Sequence, residues 1–387
     1  MRSCFDTRYD HHLHGVPNGR LHSELHMFLS TTLVLPLIVT ATQELSISRM
    51  QHTPLEITQF NGVGVTIDRS SMDSFSIGDI VVIPEFPLDL DHDVTLRLQR
   101  FDVFAPDAEV IIASIGKRGE LIQRIVPLPE LMLLKGTIEG DPSSKVFLAI
   151  GAHTTNGLIE RDGRTYVLAK DRTSGLIAVY DINGIDPDVM NWVDFNCEVV
   201  DAAENLQLVE RRETRYLAGG CQSIQLAIAT EWEFTGDLFG GSTLASSEYA
   251  ATLIGAVSTI FQSDVNIGMQ ISFLRLWETA SDPWNGSSTS TQLVQFRQHW
   301  LSKMTSVSRH LVHFLSGRGL GGGIAYVGTV CGNFGYALSA HLNGSFPLPN
   351  TDHHPNNWDI FVVAHELGHN CGTGHTHNYQ PPIDGCG

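Results

Sequence analysis

The sequence predicts a mixed α+β and α/β chain, with a β-rich N-terminal half and a C-terminal half in which strands and helices alternate. Three observations carry that expectation. Between residues 55 and 180 the apolar residues come in short β-branched runs broken by Gly, Pro and Asp, the pattern of a sheet module with tight turns. Beyond residue 221 period-two runs alternate with helical spacing, which places helices across a mainly parallel sheet. Near the end, an apolar run at residues 360–364 leads into three closely spaced histidines, as on a buried helix. With 387 residues the chain is long enough to bury two cores.

Taken in order, strands are expected at residues 63–67, 79–83, 94–104, 110–113, 146–150 and 165–168. The motif Asp89-Leu90-Asp91-His92-Asp93 has the start of a calcium loop, but Val94 and Arg100 stand where such a loop needs Gly and Glu, so a solvated turn is expected. In the second half, 225–230, 269–277 and 310–315 read as strands. Residues 246–261 read as a helix with Tyr249, Leu253, Val257, Ile260 and Phe261 on one side, and 291–304 as a helix with Leu293, Phe296, Trp300 and Met304 facing inward. Residues 317–322 match G-x-G-x-x-G, yet a β-type run at 324–330 follows instead of a helix, and no acidic residue sits about twenty positions on. No nicotinamide cofactor is expected, and the glycines read as a loop into an edge strand. A last strand at 336–341 and a loop at 343–357 precede the histidine helix, with Asn356 and Asp359 expected to cap its start.

A formal net charge of −18 without clustered Lys and Arg argues against nucleic acid as a partner. The apolar run at 28–41, with Val39 and Ala41 in cleavage-signature positions, is too short for a transmembrane helix and suits a leader. Residues 1–41 are therefore expected to be a leader or signal peptide region of a secreted protein with no membrane span. The six cysteines are too few and too scattered for a disulfide scaffold. The polar stretch after Cys197 reads as a linker, and Arg211, Arg212 and Arg215 in it could form a processing site.

The chemistry concentrates at His365-Glu366-Leu367-Gly368-His369-Asn370-Cys371-Gly372-Thr373-Gly374-His375. His365 and His369 are neighbours on one helical face, and Gly372 lets the chain turn so that His375 reaches the same point. Three imidazoles around one zinc ion keep the fourth position for water and lower its pKa towards neutrality, with Glu366 as the expected general base. The full H-E-x-x-H-x-x-G-x-x-H pattern arises by chance on the order of 10⁻⁴ times in a chain of this composition.

His365, Glu366, His369, Gly372 and His375 resemble the zinc signature of the metzincin metallopeptidases, and residues 323–331 and 358–364 are similar to the reprolysin (adamalysin) family within that clan. Thr376 stands where reprolysins commonly carry Asp. Residues 136–146, 157–159 and 162–166 are similar to the reprolysin prodomain. The resemblance implies a zinc endopeptidase acting on protein or peptide substrates and made as a zymogen. Its segments would be a prodomain at 42–197, a linker at 198–220 and a metzincin-type catalytic domain at 221–387. The edge strand Gly323, Ile324, Ala325, Tyr326 and Val327 would bind substrate backbone. Cys197 is the candidate latency switch, without the usual switch motif around it. No methionine follows Met304, so the methionine turn of metzincins is missing and the catalytic domain reads as C-terminally truncated. A zinc-binding or interaction module without turnover is the alternative.

Overall fold

A computed structural model describes residues 42–186 except 59, residue 188, 196–200, 222–349, 351, 354 and 357–383. The expected leader and residues 201–220 of the expected linker, with Arg211, Arg212 and Arg215, lie outside the described residues. The first half contributes β1 (Thr42–Glu44), β2 (Ile47–Arg49), the one-turn α1 (Leu55–Thr58), β3 (Val63–Ile67), β4 (Ile80–Pro87), β5 (Asp93–Phe101), β6 (Phe104–Ile115) and β7 (Leu121–Val126). It continues with β8 (Leu131–Ile138), β9 (Asp141–Gly151), β10 (Thr155–Arg161), β11 (Arg164–Lys170), β12 (Ile177–Asp181) and β13 (Asn196–Val200). The second half contributes β14 (Gln222–Thr230), α2 (Trp232–Phe239), α3 (Thr243–Val265), β15 (Ile267–Trp277) and α4 (Thr289–Lys303). After these come β16 (Leu311–Leu315), β17 (Gly322–Tyr326), β18 (Tyr336–Ser339) and α5 (Trp358–Cys371).

Among the described residues, ten strands form a first sheet in the order β1-β4-β5-β8-β9-β10-β11-β12-β3-β2, antiparallel except for the parallel pair β1 and β4. Its hairpins follow from local chemistry. Asp162 and Gly163, both at positive φ (51° and 74°), make the tight β10–β11 turn that an Asp-Gly pair favours. At β4–β5, Asp89 Oδ1 accepts from the backbone N–H of Asp91 and His92, both at 2.9 Å, so the residues that resemble a calcium loop form a hairpin turn.

A second sheet of eight strands runs β13-β17-β18-β16-β14-β15-β6-β7. Its centre is parallel, β17 runs antiparallel to β18, and β7 runs antiparallel to β6. Strands of both halves of the sequence therefore share it. The run expected as one strand at 94–104 breaks after Phe101. Asp102 Oδ1 accepts from Phe104 N at 2.8 Å, a turn that carries the chain from the first sheet into the second.

Helix α3 explains how the two sheets meet. Ser242 caps its start by accepting from Ala245 N at 3.2 Å, and Asn266 ends it in the left-handed region. Periodicity predicts one buried side, yet every residue from Ala245 to Ser258 is buried. The helix lies between β8 and β9 of the first sheet and β15 and β6 of the second, where Leu133, Phe147, Leu253, Ile254, Leu226 and Leu274 belong to one apolar cluster. Its 23 residues are long and apolar enough to cross a membrane, and here they fill a core.

The short α2 has no strong sequence signal because Gly236 interrupts it, a residue that costs about 1 kcal/mol in a helix interior. Before it, buried Glu231 meets Arg318 of the glycine-rich loop at 2.7 Å, and Arg318 also donates to Gly286 O and Gln292 Oε1, both at 2.9 Å. That loop leads into β17. Cys331 is disulfide-bonded and Cys371 is a free, exposed thiol.

His313 sits fully buried on β16, its Nε2 2.9 Å from Ser339 Oγ, and burial pushes its pKa down to about 3. Below its ordinary value of 6.5 the unfolded chain takes up a proton that the folded chain refuses. Stability associated with this group is complete above pH 6.5 and falls as the pH drops towards 3. In chemical denaturation between pH 6.5 and 4.5, His313→Gln should reduce the pH slope of stability by about one proton. Equal slopes in the two proteins would contradict this.

Candidate metal centre

The first turn of α5 is fixed from outside the helix. Asn357 caps it, Oδ1 accepting from Ile360 N at 3.1 Å, one residue later than the expected Asn356, which lies outside the described residues. Asp359 turns away from the cap. Fully buried, its carboxylate accepts from Asn343 N (2.8 Å), Gly344 N (2.9 Å) and Tyr249 Oη of α3 (2.6 Å), and Trp358 Nε1 donates to Ala340 O at 3.1 Å. Ile360, Val362, Val363 and Leu367 bury the inner face of the helix in the core that surrounds α3.

The last turn docks on the strand pair β17–β18. Gly328 N and Thr329 N each donate at 2.9 Å, to His369 O and Asn370 O. The buried Asn370 Nδ2 donates to Tyr326 O at 2.8 Å and Tyr336 O at 3.1 Å. Gly372 then ends the helix at φ 106°, with Gly372 N donating to His369 O (2.9 Å) and Thr373 N to Gly368 O (3.1 Å). This left-handed cap returns the chain towards the helix and brings His375 back to His365 and His369.

The ligand atoms of His365, His369 and His375 all lie within 4.8 Å of one another. His365 Nε2 and His369 Nε2 are 2.9 Å apart, and the His369 Nδ1–H donates to Thr373 O at 2.8 Å, which leaves its Nε2 as the lone-pair nitrogen. His375 Nε2 is buried with no protein partner. Burial lowers all three pKa values: His365 falls to about 4, helped by His369 and His375, while His369 and His375 move the same way chiefly through burial. The three are therefore neutral at pH 7, the form that donates to a cation. An all-imidazole set with an orphaned nitrogen turned inward fits zinc.

Glu366 is fully buried beside this cluster, against Gly323 of β17. A Cβ on Gly323 would fall 2.1 Å from Glu366 Oε1, so glycine at that strand position leaves the carboxylate its space. Ile324 and Ala325 continue the strand, paired with Leu338 and Ala337 of β18, and Tyr326 ends it. Val327 falls in the turn beyond. On its other edge β17 is paired in parallel with β13, with Cys197 opposite Gly323 and Glu198 opposite Ile324; the Cys197 side chain lies outside the described residues.

Two other histidines lie beside the cluster without joining its donor set. His354 stacks on Phe361 at 3.8 Å and burial pushes its pKa down to about 4, His377 stacks on His375 at 5.3 Å, and His353 lies outside the described residues. Sequence reasoning missed Asn370, the bond between Asp359 and Tyr249, and the seat of β13. For Asn370 a signal was there: an amide at an otherwise buried helical position, which must find partners.

A model of the reprolysin-like metallo-peptidase family M12B matches residues 247–376, from α3 to the residue after His375. Residues 247–376 belong to that family. Its members' metal is zinc, which the donor set fits, and the region is accordingly a zinc metallopeptidase domain. No curated protein matches the chain. Among solved structures, metalloproteinase-II from Bacteroides fragilis is 14% identical over 82% of this chain and 87% of that one, at a TM-score of 0.43, a likeness too low to decide anything further.

Gly323→Ala should leave the zinc content of the metallopeptidase domain unchanged, because it touches no imidazole. It should lower kcat by about 10²-fold, because the added methyl displaces the Glu366 carboxylate. Metal analysis beside steady-state kinetics checks both, and an unchanged kcat would show that the carboxylate's seat is unimportant.

Proposed function

We propose that this chain is a secreted zinc endopeptidase made as a zymogen, with residues 42–197 as prodomain, 198–220 as linker and 221–387 as catalytic domain. The observation that carries the reading is the convergence of His365, His369 and His375 beside the buried Glu366. The three histidines would hold one zinc ion, which when bound supplies Lewis-acid polarisation of a peptide carbonyl and of water. Glu366 accepts the proton of the water that attacks the carbonyl carbon and delivers it to the leaving amine nitrogen. Gly323 keeps that carboxylate in place, and the backbone from Gly323 to Val327 offers the edge on which an extended substrate adds as a strand. Protein or peptide substrates are what the match to a metallo-peptidase family implies.

Latency is supported by β13, which lies along the β17 edge that a substrate would need. Cys197 is the β13 residue in register with Gly323, so it is the residue to test as a thiolate switch. Export rests on the sequence of residues 1–41.

Glu366→Gln should keep zinc and lose about 10²-fold or more of the peptidase rate of activated protein, while a chelator should abolish that rate and added zinc restore it. Activity that survives either treatment would contradict the mechanism. Zinc binding with no cleavage after processing would leave a binding module. Cys197→Ser should raise the basal activity of the uncut chain if the thiolate is the switch, and unchanged latency would assign the block to the β13 backbone alone.

A further inference from the structure

We propose that residues 42–181 are a lasting non-covalent partner of the metallopeptidase domain, bound by strand addition at the edge of its sheet opposite the cleft, so that cutting the linker does not release them. The association stands on the contacts alone, and what it implies for activation rests on the zymogen reading above.

The two edges of the second sheet are covered differently. At the cleft, the five residues of β13 pair with β17. At the far edge, β6 pairs in parallel with β15, from Phe273 opposite Glu109 to Trp277 opposite Ala113, and β7 lies outside it. Without the β6–β7 hairpin the eleven-residue β15 would be an open edge with unpaired backbone groups. Behind the edge, α3 turns a face of small residues to the first sheet: a Cβ on Gly255 would sit 3.1 Å from Leu133 and 3.3 Å from Phe147. On the same face, buried Glu248 accepts from His153 N at 2.8 Å and Thr154 N at 3.1 Å. Lys145 meets Asp264 at 2.8 Å, Arg124 meets Glu278 at 3.0 Å, and Tyr180 Oη donates to Pro347 O at 2.5 Å. One apolar cluster runs through both parts, so separation would open a core rather than a polar contact.

The consequence concerns β13. While the module stays bound, β13 remains tethered to it through residues 182–195, at an effective concentration on the order of millimolar. A cut after residue 200 leaves the strand in the cleft, and a second cut before residue 196 is needed to let it diffuse away.

The test uses the full chain with one protease recognition sequence inserted between residues 200 and 222 and a different one between 186 and 196. The chain is cut at the first and then at both, in reducing buffer because Cys331 is disulfide-bonded. Native size exclusion should show both fragments eluting together after each cut, and amides of β15 should exchange hydrogen within about twofold of their rates in the uncut chain. Fragments that separate in native buffer, or β15 amides that exchange tenfold faster after the first cut, would overturn the proposal. Co-elution supports it whatever the peptidase assay reads. Activity unchanged after both cuts would count against latency by β13 and leave the association standing.

Discussion

The site depends on how closely the last turn of α5 is held to the strand pair β17–β18. Two backbone N–H groups, of Gly328 and Thr329, bind carbonyls of that turn, and the buried amide of Asn370 joins it to the carbonyls of Tyr326 and Tyr336. Leaving either acceptor buried and unsatisfied costs about 1–3 kcal/mol, so the docking is well determined. One turn earlier, the same docking presses Glu366 against Gly323. Beyond it, the glycine cap places Thr373 O where it fixes which nitrogen of His369 faces the cluster.

Burial then sets the electrostatics. Each imidazole of the cluster is drawn down from its ordinary pKa, so the cluster waits as a set of neutral donors. The first turn of the same helix is tied by Asp359 to Tyr249 of α3, and α3 in turn is packed between both sheets. The metal centre is thus anchored on the element that also joins the N-terminal half to the peptidase sheet.

Much of this was legible in the sequence. The strands at β3, β9, β11, β14, β15 and β16 announced themselves by β-branched runs, and the histidine pattern with its glycine predicted the convergence of the three imidazoles, because helical spacing and a left-handed cap are local rules. What was not legible is non-local. That β6 and β7 leave the first sheet, that β13 lies beside β17, and that α3 is buried all round depend on which surfaces meet, and periodicity records only that a residue is apolar. The helix start was misplaced by one residue because Asn356 and Asn357 are both good caps, and Asp359 was drawn away by the Asn343–Gly344 turn.

Three imidazoles from α5 and the bend after it converge where one cation would sit. X-ray absorption at the zinc edge of the zinc-loaded, uncut chain tests it most directly. One zinc per chain is expected, with three imidazole nitrogens at about 2.0–2.1 Å and a fourth scatterer of another kind. A shell with fewer than three imidazoles at that distance would contradict it.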